Sequence, residues 1–187
     1  SSTSRGLGDV YKRQKPISIL QLMQHSSGIA DYRNEKGFDV SADYRPEQLI
    51  ETVAAIPLAF EPGTDVKQSA TNFLLLTSII EKTGKMPYHD FVKKYQIDYL
   101  GLKQTFFGED LAKVKQEDVT LTNNVHQTFK KDKDYINPSE TTTGYVEKEG
   151  RLVSAPAVSP TALKGFSDIW ASAENVSHWD IGLAGSA

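Results

Sequence analysis

Along the chain, apolar residues recur at helical spacing in five places, separated by polar loops. In Lys15–Ile29, KPISILQLMQHSSGI, the positions Ile19, Leu22 and Met23 predict a short helix with one apolar face. Ser18 stands where a cap belongs, Gln21 three residues on completes a capping box, and Gly28 stands where a glycine ends a helix. Asp31–Tyr44 has no period and reads as a polar loop dotted with aromatics. Pro46, favourable in a first turn, opens a helix that turns Leu49, Ile50 and Val53 inward and ends at Pro57. Phe60–Gly84, FEPGTDVKQSATNFLLLTSIIEKTG, is the centre of the chain. Glu61-Pro62-Gly63-Thr64 reads as a turn, and Phe73, Leu74, Leu75, Leu76, Ile79 and Ile80 make a helix that is apolar on more than one face. Such a helix is buried, and Gly84 would stop it.

Tyr88–Tyr95 predicts a short amphipathic helix with Phe91, Val92 and Tyr95 inward. From Gly108 to Ser159 the period fades, leaving one helical turn over Lys113–Asp118 and a hairpin that turns at Glu149-Gly150 between Tyr145-Val146 and Leu152-Val153. So long an irregular span is often either a functional loop or a disordered one. Gly165–Gly185 restores a helix: Ser172 caps it, Glu174 complements its dipole, and Val176, Trp179 and Leu183 share a face. Trp170 and Trp179 are expected in the core and His178 on the surface.

Composition narrows the functions. The 187 residues suffice for one domain with a core, and a net charge of −3 offers no general attraction for a polyanion. The one dense basic run, Lys130-Lys131-Asp132-Lys133-Asp134, is offset by its own acids and reads as a solvated loop, so no nucleic-acid partner is expected. Absence of cysteine excludes disulfides, thiol catalysis and zinc–thiolate sites. His25, His89, His126 and His178 show neither His-x-His nor His-Glu-x-x-His spacing, so no metal or other cofactor is expected. No apolar run approaches the ~20 residues of a membrane span, and no signal peptide is read. Ser1–Gln14 has no period, and its Gly6–Gln14 segment resembles a translated sequencing-adapter tail. Gly6-Leu7-Gly8 lacks the third glycine, strand and helix of a nucleotide loop. Residues 1–14 are therefore set aside, and 15–187 read as a partial domain truncated at both ends.

Lys67-Gln68-Ser69-Ala70, small and polar residues that a turn delivers to the mouth of a buried helix, read either as a loop leading into a core helix or as a rigid mount for a reactive or binding group. His25 and Ser26 are a poor base–nucleophile pair, because neighbours at a helix end do not face each other; hydrogen bonds that close the helix are their expected role. The frame Phe60, Pro62-Gly63-Thr64, then Asn72-Phe73-Leu74-Leu75-Leu76 resembles the serine β-lactamase-related family of class C β-lactamases, D-alanyl-D-alanine carboxypeptidases and esterases. Ile17-Ser18-Ile19 through His25-Ser26-Ser27-Gly28-Ile29 matches another stretch of that family. So do Ile97–Leu102 with Lys103-Gln104-Thr105, and Gly165, Ile169, Ala171-Ser172-Ala173 and Trp179, a strand-like segment running into a helix.

The resemblance implies an α/β (α+β) serine β-lactamase/transpeptidase-like fold, of which this chain carries mainly the helical subdomain with long loops. It implies a serine hydrolase that forms an acyl-enzyme on an amide or ester, with a small-molecule or peptide substrate, in a periplasmic or secreted setting. The family nucleophile lies in a Ser-x-x-Lys motif, expected upstream of Lys15, and a Lys-Thr-Gly or His-x-Gly strand is expected downstream of Ala187. This chain has no Ser-x-x-Lys; the threonine versions at Thr64–Lys67, Thr128–Lys131 and Thr161–Lys164 do not fit the frame. Of the family's Tyr-x-Asn motif only the position is present: Gln68 stands for Tyr and Ala70 for Asn. Gln68 is the catalytic-site candidate within this chain, yet an amide is no general base. The chain alone is expected to be inactive, and the rival reading is a non-catalytic binding or scaffold protein on the same fold.

Overall fold

The computed structural model describes residues 16–110 and 144–185. The expectations for residues 1–14, Lys113–Asp118, His126 and Lys130–Asp134 lie outside the described residues. In chain order the elements are helix α1 (Ile19–Met23), a 3₁₀ turn (Tyr32–Asn34), and helices α2 (Pro46–Ala54), α3 (Ala70–Gly84) and α4 (Tyr88–Val92). A π turn over Lys93–Ile97 continues α4 and is closed by the Asp98 N–H donating to the Lys93 carbonyl at 2.8 Å. Strands β1 (Thr105–Phe107), β2 (Tyr145–Lys148), β3 (Arg151–Ser154) and β4 (Ile169–Ala171) and helix α5 (Ala173–Ala184) follow. β1 pairs antiparallel with β4, Phe106 opposite Trp170, and β2 pairs antiparallel with β3. The described fold is thus mainly helical with two small sheets, an α+β arrangement.

α3 is the spine because its apolar residues serve two cores. Ala70 and Leu74 pack with Tyr32, Leu49 and Val53, while Ile80 reaches a second cluster of Tyr88, Val92, Ile97, Leu102 and Phe107. A fully buried leucine such as Leu74 contributes about 1.5–3 kcal/mol. β4 and α5 close the second cluster with Ile169 and Trp179. Asn175 ties α5 to the start of β1: its Oδ1 accepts from the Gln104 N–H at 2.8 Å and the Thr105 hydroxyl at 3.0 Å.

Several local expectations hold. Ser18 and Gln21 form the capping box, Pro46 opens α2, and Ser172 caps α5 by accepting from the Asn175 N–H. Glu149 and Gly150, at φ 53° and 73°, turn the β2–β3 hairpin, as two left-handed residues in sequence do.

Other expectations need correction. α1 stops at Met23, well short of Gly28, and His25 takes the left-handed conformation at φ 57°. Only Leu22 of its apolar residues is buried; Ile19 and Met23 are exposed. Gly84 is the last residue of α3 rather than its stop, because Lys85 takes the left-handed turn at φ 54°, while the ring of Phe91 packs where a Gly84 Cβ would stand. On α4, Tyr88 and Val92 are buried and Tyr95 is exposed. α5 turns Asn175, Trp179 and Gly182 inward and leaves Val176 and Leu183 exposed, since Gly182 lies against Leu100. Trp170 is exposed too, on β4 in a sheet of only two strands.

Candidate functional site

The Lys67–Ala70 stretch is held by the segment that follows α1. Pro62 and Gly63, the latter at φ 88°, make a turn in which the Thr64 N–H donates to the Glu61 carbonyl at 3.0 Å. The chain then runs back beside residues 25–28. Ala59, Gly63 and Lys67 donate their N–H groups to the carbonyls of Gly28, Ser26 and His25, at 2.8, 2.8 and 2.9 Å. Gly28, at φ 77°, lies so close to the Phe60 carbonyl that any Cβ would overlap it. The glycine read as a helix stop thus serves a close approach between two chain segments.

Ser69 is extended (φ −147°, ψ 123°) and buried, and Gln68 beside it is exposed. In extended backbone neighbouring side chains point opposite ways, so burial of Ser69 presents Gln68 to solvent. Among the described residues the Gln68 amide has no hydrogen-bond partner. Ala70 begins α3 with no exposed surface and belongs to the first core cluster. The two positions of the altered motif therefore part company: Gln68 faces out and Ala70 faces the core.

α3 has no side-chain cap of its own. Asp31 supplies one from the facing segment, its Oδ2 accepting from the Ala70 N–H at 3.1 Å. The same carboxylate accepts from the Arg33 N–H and is paired with the Arg33 guanidinium at 2.6 Å. Burial acts to raise the Asp31 pKa, but these hydrogen bonds outweigh it and hold the carboxyl below its ordinary range. Hydrogen bonding to Asp31 in turn raises the Arg33 pKa, and the guanidinium lies over the Phe166 ring at 4.3 Å. The Thr71 hydroxyl donates to the Ala30 carbonyl at 2.7 Å and accepts from the Tyr32 N–H.

Behind Gln68 lies a polar cluster that the sequence motifs did not reveal. The Ile29 N–H donates to Ser27 Oγ, Ser27 Oγ to Asn72 Oδ1 at 2.6 Å, and Asn72 Nδ2 lies 3.2 Å from His25 Nδ1, which also faces the Ser69 N–H at 3.3 Å. Among the described residues the His25 ring nitrogen contacts are to Ser69 and Asn72 and not to the Ser26 hydroxyl, so His25 and Ser26 do not form a base–nucleophile pair. Asn72, matched as part of the helix frame, is a fully buried member of this cluster. Its separation of 47 residues from His25 left no local signal.

A second group forms away from Gln68. His89 Nε2 lies 3.3 Å from the buried Asp168 carboxylate and Nδ1 3.5 Å from Glu109, with the ring stacked on Phe107. It borders a cleft of about 820 Å³ whose walls include Lys93, Thr105 and Phe107 but none of Lys67–Ala70. The cleft thus lies apart from the Gln68 ledge, the stretch where the sequence resemblance expects the site. Among the described residues, no three histidines or carboxylates group in a way that could hold a metal ion, and no helix is long and apolar enough to cross a membrane.

Fold and ledge together define a class: a helical subdomain whose buried central helix carries a polar motif at its N-terminal mouth. The chain belongs to the beta-lactamase family, whose model matches residues 8–186. An N-acetylmuramyl-L-alanine amidase of Bacillus subtilis is 29% identical over 105 residues, which are 54% of this chain and 24% of that protein. A putative D-alanyl-D-alanine carboxypeptidase of Escherichia coli K12 is 27% identical over 117 residues, 61% of this chain and 27% of its own length. In structure, a D-stereospecific amidohydrolase from a Streptomyces species superposes with a TM-score of 0.68 at 20% identity, over 89% of this chain and 46% of that one. A D-amino acid amidase from Ochrobactrum anthropi complexed with D-phenylalanine gives 0.67 at 15%, over 91% and 45%. These likenesses show the β-lactamase/transpeptidase-like fold. The chain spans about a quarter of the curated relatives named here and less than half of these solved chains.

Proposed function

We propose that this chain is the helical part of a serine hydrolase that transfers an acyl group from an amide or ester, a β-lactam or D-alanyl peptide among the candidates, through an acyl-enzyme. The carrying observation is the Gln68 ledge. The sequence frame sets Gln68 against the family's Tyr-x-Asn position, three backbone hydrogen bonds clamp the segment leading to it, and its side chain is presented to solvent at the mouth of the buried helix. The nucleophile is a serine outside this chain, so the 187 residues alone are inactive. With Gln68 in the tyrosine position, the base is the lysine of the Ser-x-x-Lys motif, and Gln68 orients substrate or water through its amide. The amidase and carboxypeptidase names of the relatives support amides and D-amino-acid peptides as the substrate class.

One observation favours a second reading, a non-catalytic binding protein on the same fold: Ala70 lies in the core and offers no amide to a substrate. The two are separated by recovering the longer open reading frame, treating the protein with a fluorescent penicillin or a fluorophosphonate, and weighing it intact. An adduct on a serine followed three residues later by lysine supports acyl transfer. A folded protein that contains this serine and gains no mass supports the binding reading. In the active case Gln68→Tyr is expected to change the hydrolysis rate; an unchanged rate removes position 68 from proton transfer.

A further inference from the structure

We propose that His25 is a positioning residue for Gln68, its ring Nδ1 accepting a hydrogen bond that holds the Gln68–Ser69 peptide. The directions of the bonds follow from which atoms must donate. The Ser69 backbone N–H can only donate, so the Nδ1 that faces it at 3.3 Å accepts, and the ring proton sits on Nε2. The Asn72 group 3.2 Å from the same nitrogen is then its NH₂, which leaves Oδ1 to accept from the Ser27 hydroxyl at 2.6 Å. The Ser27 oxygen also accepts from the Ile29 N–H at 3.1 Å. Every proton in the chain from Ile29 through Ser27, Asn72 and His25 to Ser69 has one position.

The Ser69 N–H sits on the peptide shared with Gln68, so losing this bond loosens the residue that faces solvent. The His25 carbonyl still accepts from the Lys67 N–H at 2.9 Å, which confines the change to the peptide beyond Lys67. Of the charged groups on the packed elements, Asp31 is committed to Arg33 and the Ala70 N–H. Glu61, Asp65 and Lys67 lie on the exposed turn, and the ring itself packs on Phe73, centroids 5.2 Å apart.

The geometry also provides the control. His25 sits at φ 57°, a conformation asparagine tolerates, and asparagine Oδ1 stands close to where Nδ1 does. His25→Asn therefore keeps the acceptor, while His25→Ala removes it. Nitrogen-15 NMR of the 187-residue chain at about pH 8 is expected to show the Nε2–H tautomer at His25. Amide-exchange protection of Ser69 is expected to fall about tenfold in His25→Ala and to be kept in His25→Asn. An Nδ1–H tautomer, or unchanged Ser69 protection in His25→Ala, overturns the proposal.

The consequence for catalysis rests on the acyl-transfer reading. In the longer protein, His25→Ala is expected to slow acylation about tenfold and His25→Asn to recover most of that rate. No covalent adduct with the Ser69 protection pattern intact removes that reading and leaves the His25 role standing.

Discussion

Asp31 joins three jobs in one carboxylate. It caps the 3₁₀ turn through the Arg33 N–H, caps α3 through the Ala70 N–H, and pairs with the Arg33 guanidinium, with its side chain only 4% exposed. Its folded-state pKa is lowered, so the stability it adds is fully present above the ordinary aspartate value of about 3.9 and is lost as pH falls through the lower folded value. Asp31→Asn is expected to destabilise the chain by about 2–4 kcal/mol at neutral pH. In urea titrations the gap between the two proteins closes as pH drops below about 4. A constant gap across that range assigns the loss to packing instead of charge. None of this was visible in the sequence, where Asp31 opens a polar loop and α3 lies 39 residues away.

Among the elements, α3 was the most legible, because six apolar residues within eight positions demand burial whatever surrounds them. Its end was misjudged for a physical reason: glycine serves both left-handed turns and close packing, and at Gly84 the ring of Phe91 needs the space. The left-handed residue is Lys85, which pays a backbone strain that glycine would not. Lys85→Gly is expected to stabilise the chain by about 1 kcal/mol, read as a higher thermal midpoint. A lower midpoint shows that the lysine side chain contributes more than its backbone costs. On α5 the apolar period pointed to Val176 and Leu183, yet the inward face is set by Asn175 bonding the β1 strand and Gly182 meeting Leu100.

Over the whole molecule, contacts between the first and last described parts shape the ledge. The Tyr32 hydroxyl donates to the Ala162 carbonyl at 2.9 Å across 130 residues, and Lys164 pairs with Glu81 on α3 at 2.9 Å. Gly165, at φ 76°, lies against Thr77 and the Phe73 carbonyl, where no Cβ fits. Tyr32→Phe leaves the buried Ala162 carbonyl without its donor and is expected to cost about 1–3 kcal/mol. A lower urea midpoint with an unchanged slope checks it; a change in slope points to loss of compactness instead.

What the sequence determined by itself is what depends on near neighbours. The Ser18–Gln21 capping box, the proline start of α2, the Glu149-Gly150 hairpin and the burial of α3 all follow from residues within a few positions of one another. The family frame also placed Gln68 at the mouth of the buried helix, because a turn and an apolar run carry that signal locally. Tertiary structure alone decided that Gln68 faces solvent while Ala70 faces the core. It also decided that Asp31 caps α3, and that His25, Ser27 and Asn72 stand together behind the Ser69 peptide. The physical reason is that each is a hydrogen bond or a close contact between segments some 40 or more residues apart, and a bond of that range leaves no period in the sequence.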